Sequence, residues 1–132
     1  MDKADLKSLM AKISSDRDQI AFSNLFDELA PKINSYYLQN GLKAENAEEL
    51  TQEVLSTIWS KSYLYDPLKS AVSTWVFTIA RNKKVDFFRK NSKVDFNEDD
   101  IREFLYESNN NDNIEENEIR EQVEKINQEL DH

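Results

Sequence analysis

The chain has 132 residues with one glycine, two prolines, no cysteine and one histidine, and a formal net charge of -9. Average glycine usage of roughly 7% would supply about nine, so hairpin-rich β architectures and glycine-cradled phosphate sites are disfavoured, and disulfides and thiolate metal centres are excluded. The histidine is the last residue, which leaves no interior imidazole for a serine triad or a zinc site; no stretch approaches the roughly 20 apolar residues of a membrane span, and a soluble, cytoplasmic protein without metal is expected.

Apolar spacing predicts helices throughout. Leu6, Leu9, Met10 and Ile13 lie three or four apart in a short first helix that Asp5 can cap. Asp16 or Asp18 can cap a second, longer one, whose stripe of Phe22, Leu25, Phe26, Leu29, Ile33, Tyr36 and Tyr37 runs to the stop signal Asn40-Gly41. Pro31 lies inside it and removes a backbone donor, so a kink or a break is expected there.

A third helix opens near Glu45 or Asn46 and turns Leu50, Val54, Ile58 and Leu55 inward, leaving Glu48, Glu49, Gln52 and Glu53 on a polar face. Pro67 breaks the periodicity in a loop that carries Tyr63 and Tyr65. Ser73 or Thr74 can cap the next helix, STWVFTIARNKKVDFFRK, apolar in its first half and basic in its second. The expected architecture is all-α: a bundle of about four helices, free of strands over residues 4–90, with Trp59 and Trp75 largely buried.

The net charge hides a division. Residues 1–92 carry 13 Lys+Arg against 12 Asp+Glu, whereas residues 93–132 carry 4 against 14. The chain therefore divides into a helical domain over 1–92 and an acidic linker over 93–132. Residues 81–93, RNKKVDFFRKNSK, hold six basic side chains and one acid, Asp86; such a run is either a solvated helix face or an electrostatic footprint for phosphates. The polar run over 97–113 is expected to be mobile or only partly helical. Residues 115–130 carry Ile119, Val123 and Ile126 at helical spacing, which would lie on the bundle or on a neighbouring copy.

The segments AFSNLFDELAPKINSYY, AENAEELTQEVLSTIW and YLYDPLKSAVSTWVFTIARNKKVDFFRK, in that order, resemble region two of bacterial RNA polymerase sigma factors of the extracytoplasmic-function type. The resemblance spans about residues 19–90. It is carried by E-L-x-Q-E-V on an acidic helix ending in tryptophan, an aromatic-Asp-Pro loop, and T-W-x-F-x-I-A-R-N-x-x-x-D. The loop lacks the glycine many members carry near Ser70. It implies that Glu49, Gln52, Glu53, Leu55 and Trp59 meet the beta prime clamp helices of core RNA polymerase. It also implies that Tyr63, Tyr65, Lys69, Ser73, Arg81, Asn82, Lys84, Asp86, Arg89 and Lys90 lie along the nontemplate strand of minus-ten promoter DNA. Among these, Tyr65, like Trp75 and Phe77, also suits the core, and Asp86 suits orienting an arginine.

The resemblance further implies a transcription initiation factor without enzymatic activity or cofactor, regulated by an anti-sigma factor. Complete members continue into a region-four domain where this sequence stops, so a fragment of a longer factor is the favoured expectation and a naturally short variant the alternative. The competing reading is an interaction module that occupies an anti-sigma factor or the polymerase clamp without reading promoters; the basic residues between 81 and 90 favour DNA, because a decoy has no use for them.

Overall fold

The computed structural model describes residues 5–90 and 116–130. Within them the chain forms α1 (Leu6–Asp16), α2 (Gln19–Gln39), α3 (Ala44–Lys61), a single 3-10 turn (Ser62–Leu64), α4 (Val72–Arg89) and α5 (Glu116–Leu130), with no strand among the described residues. None of these helices is long and apolar enough to cross a membrane. The linker stretch over 97–113 and the 92/93 boundary lie outside the described residues.

Local chemistry accounts for most of the helix ends. Asp5 Oδ1 accepts from the backbone N–H groups of Lys7 and Ser8, and Asp18 Oδ1 from those of Ile20 and Ala21, satisfying donors that a helix start leaves orphaned. Between them Arg17 turns the chain at φ 52, one of two positive-φ positions among the described residues. The other is Gly41, φ +91, which ends α2 where the Asn-Gly pair predicts. Pro31 does not break α2: it is exposed, as is Asp27 one turn earlier, so the carbonyl that loses its partner reaches water.

Two starts differ from expectation. The N-caps of α3 and α4 are Lys43 and Ala71, and neither makes a side-chain capping bond. Ser73 and Thr74 lie buried inside the first turn of α4, where burial overrides their capping preference.

The core is formed by α2, α3 and α4, closed by α1 on one side and by α5 on another. Leu25, Leu29 and Ile33 of α2 meet Val54, Leu55 and Ile58 of α3, and every residue of α4 from 72 to 80 is buried. Ile119, Val123 and Ile126 join that core from α5, so this acidic helix packs on the bundle. Tyr37 ties α2 to α4: its hydroxyl donates to the Ala80 carbonyl at 2.7 Å, and burial, with Tyr36 and Glu53 nearby, pushes its pKa far above the usual tyrosine value. Trp75 is fully buried as expected, whereas Trp59 is only partly so, because α3 places it at the edge of the α2–α3 contact.

Tyr37→Phe removes one buried hydrogen bond that ties α2 to α4. A loss of about 1 to 2 kcal/mol is expected, seen as a lower urea midpoint with unchanged slope.

Candidate functional site

Three surfaces collect the polar and aromatic side chains that the core does not use. The first is a groove of about 720 Å³ between α2 and α3, lined by Gln19, Phe22, Phe26, Gln52, Leu55, Ser56 and Trp59. Phe22 stands edge-on to both Phe26 and Trp59, with centroids 6.4 and 5.0 Å away. Leu55, 2% exposed, forms the floor and offers a partner little surface, while Gln52 stands exposed on the wall. Glu48, Glu49 and Glu53 continue the exposed face of α3 beyond the groove. An apolar slot beside a row of carboxylates suits an amphipathic helix bearing arginines.

Arg17 fixes one wall of this groove. Its guanidinium lies 4.0 Å from the Trp59 ring centroid and donates from Nη1 to the Trp59 carbonyl at 2.6 Å, with Ser62 Oγ at 3.5 Å. The cation therefore holds the indole by its face and the last turn of α3 by a carbonyl that also accepts from the Ser62 hydroxyl at 3.3 Å. Sequence reasoning missed Arg17, because a lone arginine between two capping aspartates carries no signal of a contact 42 residues on. It also placed Phe22 and Phe26 in the inward stripe; Phe26 is 39% exposed, lying on the groove side of α2 where no third helix packs among the described residues.

The second surface is the 65–70 loop with the start of α4. Asp66 organises it: Oδ1 accepts from the Leu68 N–H, and its carbonyl from those of Lys69 and Ser70. No left-handed residue is needed, so the missing glycine near Ser70 costs the loop nothing. Tyr65 donates from its hydroxyl to the Ser70 carbonyl at 2.9 Å and sets its ring edge-on to Trp75; burial, with Asp66 beside it, pushes its pKa up to about 12. Tyr63 and Leu68, at 69% and 95% exposure, are the loop's free apolar side chains. Ser73 is buried beneath it and presents no surface. Lys69 is ion-paired with Glu129 of α5 at 2.8 Å, which raises the lysine pKa.

The third surface is the second half of α4. Arg89 and Lys90 are exposed, Asn82 partly so, and Asp86 lies 3.7 Å from the Arg89 guanidinium. Lys84 departs from its expected place along the DNA strand. It is 4% exposed, its ammonium donates to Asn40 Oδ1 at 3.1 Å, and it lies 5.3 Å from the Tyr36 ring centroid. The reason is periodic: position 84 follows 77 and 80 on the inward face of α4, so its charge goes to the end of α2. A crevice of about 400 Å³ joins this surface to the acidic face of α3, with Asn46, Glu49 and Glu53 on one side and Lys83, Asp86, Phe87 and Lys90 on the other. Among the described residues no group of acids and histidines could hold a metal ion.

The sequence profile of the Sigma-70 region 2 family matches residues 25–94. The chain belongs to that family. It is 44% identical over 89 residues to the ECF RNA polymerase sigma factor RpoE of Cereibacter sphaeroides, a stretch covering 67% of this chain and 49% of the relative. To the ECF RNA polymerase sigma factor SigK of Mycolicibacterium vanbaalenii it is 27% identical over 86 residues, covering 65% and 43%. The chain thus spans about half the length of the curated relatives it matches. The fold is similar to that of Rhodobacter sphaeroides SigE in complex with the anti-sigma ChrR, with TM-score 0.65 and 35% identity over 82% of this chain and 73% of that one.

Three substitutions test the assigned roles of the cations. Arg17→Ala should raise acrylamide quenching of one tryptophan and leave the other shielded, since only Trp59 loses its cover. Lys84→Ala should cost about 2 kcal/mol in urea unfolding, as expected for a buried charge-assisted hydrogen bond, whereas Arg89→Ala should stay within about 0.5 kcal/mol.

Proposed function

We propose that this chain is the core-binding and promoter-opening part of a bacterial transcription initiation factor. The observation that carries the reading is membership of the region-two family, combined with two chemically opposite surfaces on adjoining helices. The carboxylate row of α3 beside the aromatic groove suits the basic clamp helices of core polymerase, with Glu49, Gln52, Glu53 and Trp59 at the contact. The Tyr63 loop and the end of α4 suit the nontemplate strand of the minus-ten element. There Arg81, Arg89 and Lys90 neutralise phosphates, Asn82 can pair with a base edge, and Tyr63 can stack on an extruded base.

Opening on this reading draws on binding energy and involves no catalysis. The free energy of unpairing a few base pairs is offset by holding the bases and phosphates of one strand, so no cofactor is required and the chain is not an enzyme. The reading places it in the cytoplasm with the polymerase. An anti-sigma factor belongs to the same reading, because the similar SigE was solved in complex with one.

The tests separate the two surfaces. Gln52→Ala and Glu53→Arg should weaken capture of core polymerase with the bundle intact, by about 2 to 5 kcal/mol for the charge reversal; unchanged capture would refute the contact. Within holoenzyme, Asn82→Ala should relax minus-ten preference by about 1 to 3 kcal/mol, while Lys90→Ala should weaken all sequences alike. Open-complex footprints on promoter variants distinguish the two effects.

A further inference from the structure

The acidic helix α5 does not dock on a neutral side of the bundle. Its last turn sits at the loop: Glu129 Oε1 pairs with Lys69 at 2.8 Å, and Lys61 Nζ donates to the Leu130 carbonyl at 3.1 Å. That second contact places a cation on the negative end of the helix dipole. Farther back, Gln122, Lys125 and Ile126 close over Leu64, Asp66, Ser70 and Trp75. Arg120, Val123, Glu124 and Asn127 stand beside Arg81, so the helix brings one cation of its own to this end of the seat. The helix as a whole carries five glutamates against one arginine and one lysine, so it brings negative charge and hydrogen-bond acceptors to the basic groups that a phosphate strand would use.

The seat is complementary in charge but incomplete in its polar contacts. Trp75 Nε1 and Gln122 Oε1, a donor and an acceptor on opposite sides of the covered hollow, are both buried without a protein partner. A permanent core contact normally satisfies such groups. Tyr63, Arg89 and Lys90 meanwhile remain exposed, so the helix covers one part of the surface and leaves the rest open.

We propose that α5 and a single DNA strand are alternative occupants of the 65–70 loop and the Arg81 turn of α4, so that the free chain masks part of its own strand-binding surface. The inference rests on the strand-binding reading above and adds its regulation. Because α5 belongs to the same chain, the strand must displace it, and the apparent affinity falls by the fraction of molecules in which the surface is open. Any interaction that lifts α5 frees Lys69 from Glu129 and uncovers Trp75, Ser70 and the flank of Arg81 together.

The test uses the full chain carrying Val123→Asp and Ile126→Asp, titrated with fluorescein-labelled single-stranded DNA at low and moderate salt. These substitutions remove two apolar anchors and add two negative charges, so simple repulsion and masking predict opposite signs. If α5 is seated in about nine molecules of ten, its release should tighten strand binding about tenfold, with α5 amides exchanging rapidly and those of α3 and α4 still protected. Freely exchanging α5 amides with unchanged or weaker strand binding would overturn the proposal.

Adding Arg89→Ala and Lys90→Ala to the released chain separates the two ideas. A loss of strand binding there upholds the strand-binding reading whatever the mask does, and absence of strand binding in every form overturns both. Should the aspartate variant unfold, Lys61→Cys with Leu130→Cys, in a chain that has no other cysteine, can be bridged by a short bis-maleimide. The bridged form should bind the strand more weakly than its unbridged counterpart, and equal binding would overturn the mask.

Discussion

The buried first half of α4 is the constraint on which the rest of the bundle depends. Nine consecutive helical residues, 72–80, are removed from water on every side, and a helix buried all round must be surrounded. Tyr36 and Tyr37 of α2 cover one face, Val54 and its neighbours on α3 another, and Ile119, Val123 and Ile126 of α5 a third. The hydroxyls caught inside are handled locally where they can be: Thr78 donates to the Thr74 carbonyl one turn back, so no distant partner is needed. With its front fixed this way, α4 projects the 65–70 loop from one end of the core and its charged turns from the other.

That arrangement brings opposite charges close without mixing them. The carboxylates of α3 and the cations of α4 meet only at the crevice where Glu49 and Glu53 face Lys83 and Lys90. Elsewhere they lie on different faces. At 0.1 M salt, charges interact over roughly 10 Å through solvent, so outside the crevice each face presents its own field to a partner. Phe22, Phe26 and Trp59 add an aromatic groove on the acidic side. The basic side offers the exposed Tyr63 and Leu68 and the half-buried Phe87 and Phe88. The two faces therefore differ in the sign of their charge.

Much of this was legible in the sequence where the signal is local. Asp5 and Asp18 act as the caps their positions suggest, Asn40-Gly41 ends α2, and Leu50, Val54, Leu55 and Ile58 face inward at helical spacing. What was not legible depends on neighbours in space. Lys84 looked like one more member of a basic run, but counting by turns from Phe77 and Ala80 puts it on the inward face, and only the end of α2 supplies its acceptor. Ser73 and Thr74 are good caps in isolation and became core residues because α4 starts at Val72, two or three residues before the start that either cap would give. Phe26 and Trp59 keep a perfect apolar period, yet period cannot say whether another helix arrives to cover them.

The helices also differ in how firmly they are tied. α2, α3 and α4 interlock through side chains with almost no exposure, Leu25, Leu29, Ile33, Val54, Ile58 and Phe77 among them. α5 enters that core through Ile119, Val123 and Ile126 at 4% to 8% exposure, with Leu130 packed against it, and its polar ties include a surface ion pair and one bond to a terminal carbonyl. Surface pairs of this kind are screened by salt, whereas tightly packed apolar contacts are not. Local opening in a folded protein begins where buried apolar contacts are few. Lifting α5 would uncover one face of α4 and leave the interlock of α2 with α3 in place, so exposure of the loop is separable from unfolding of the bundle.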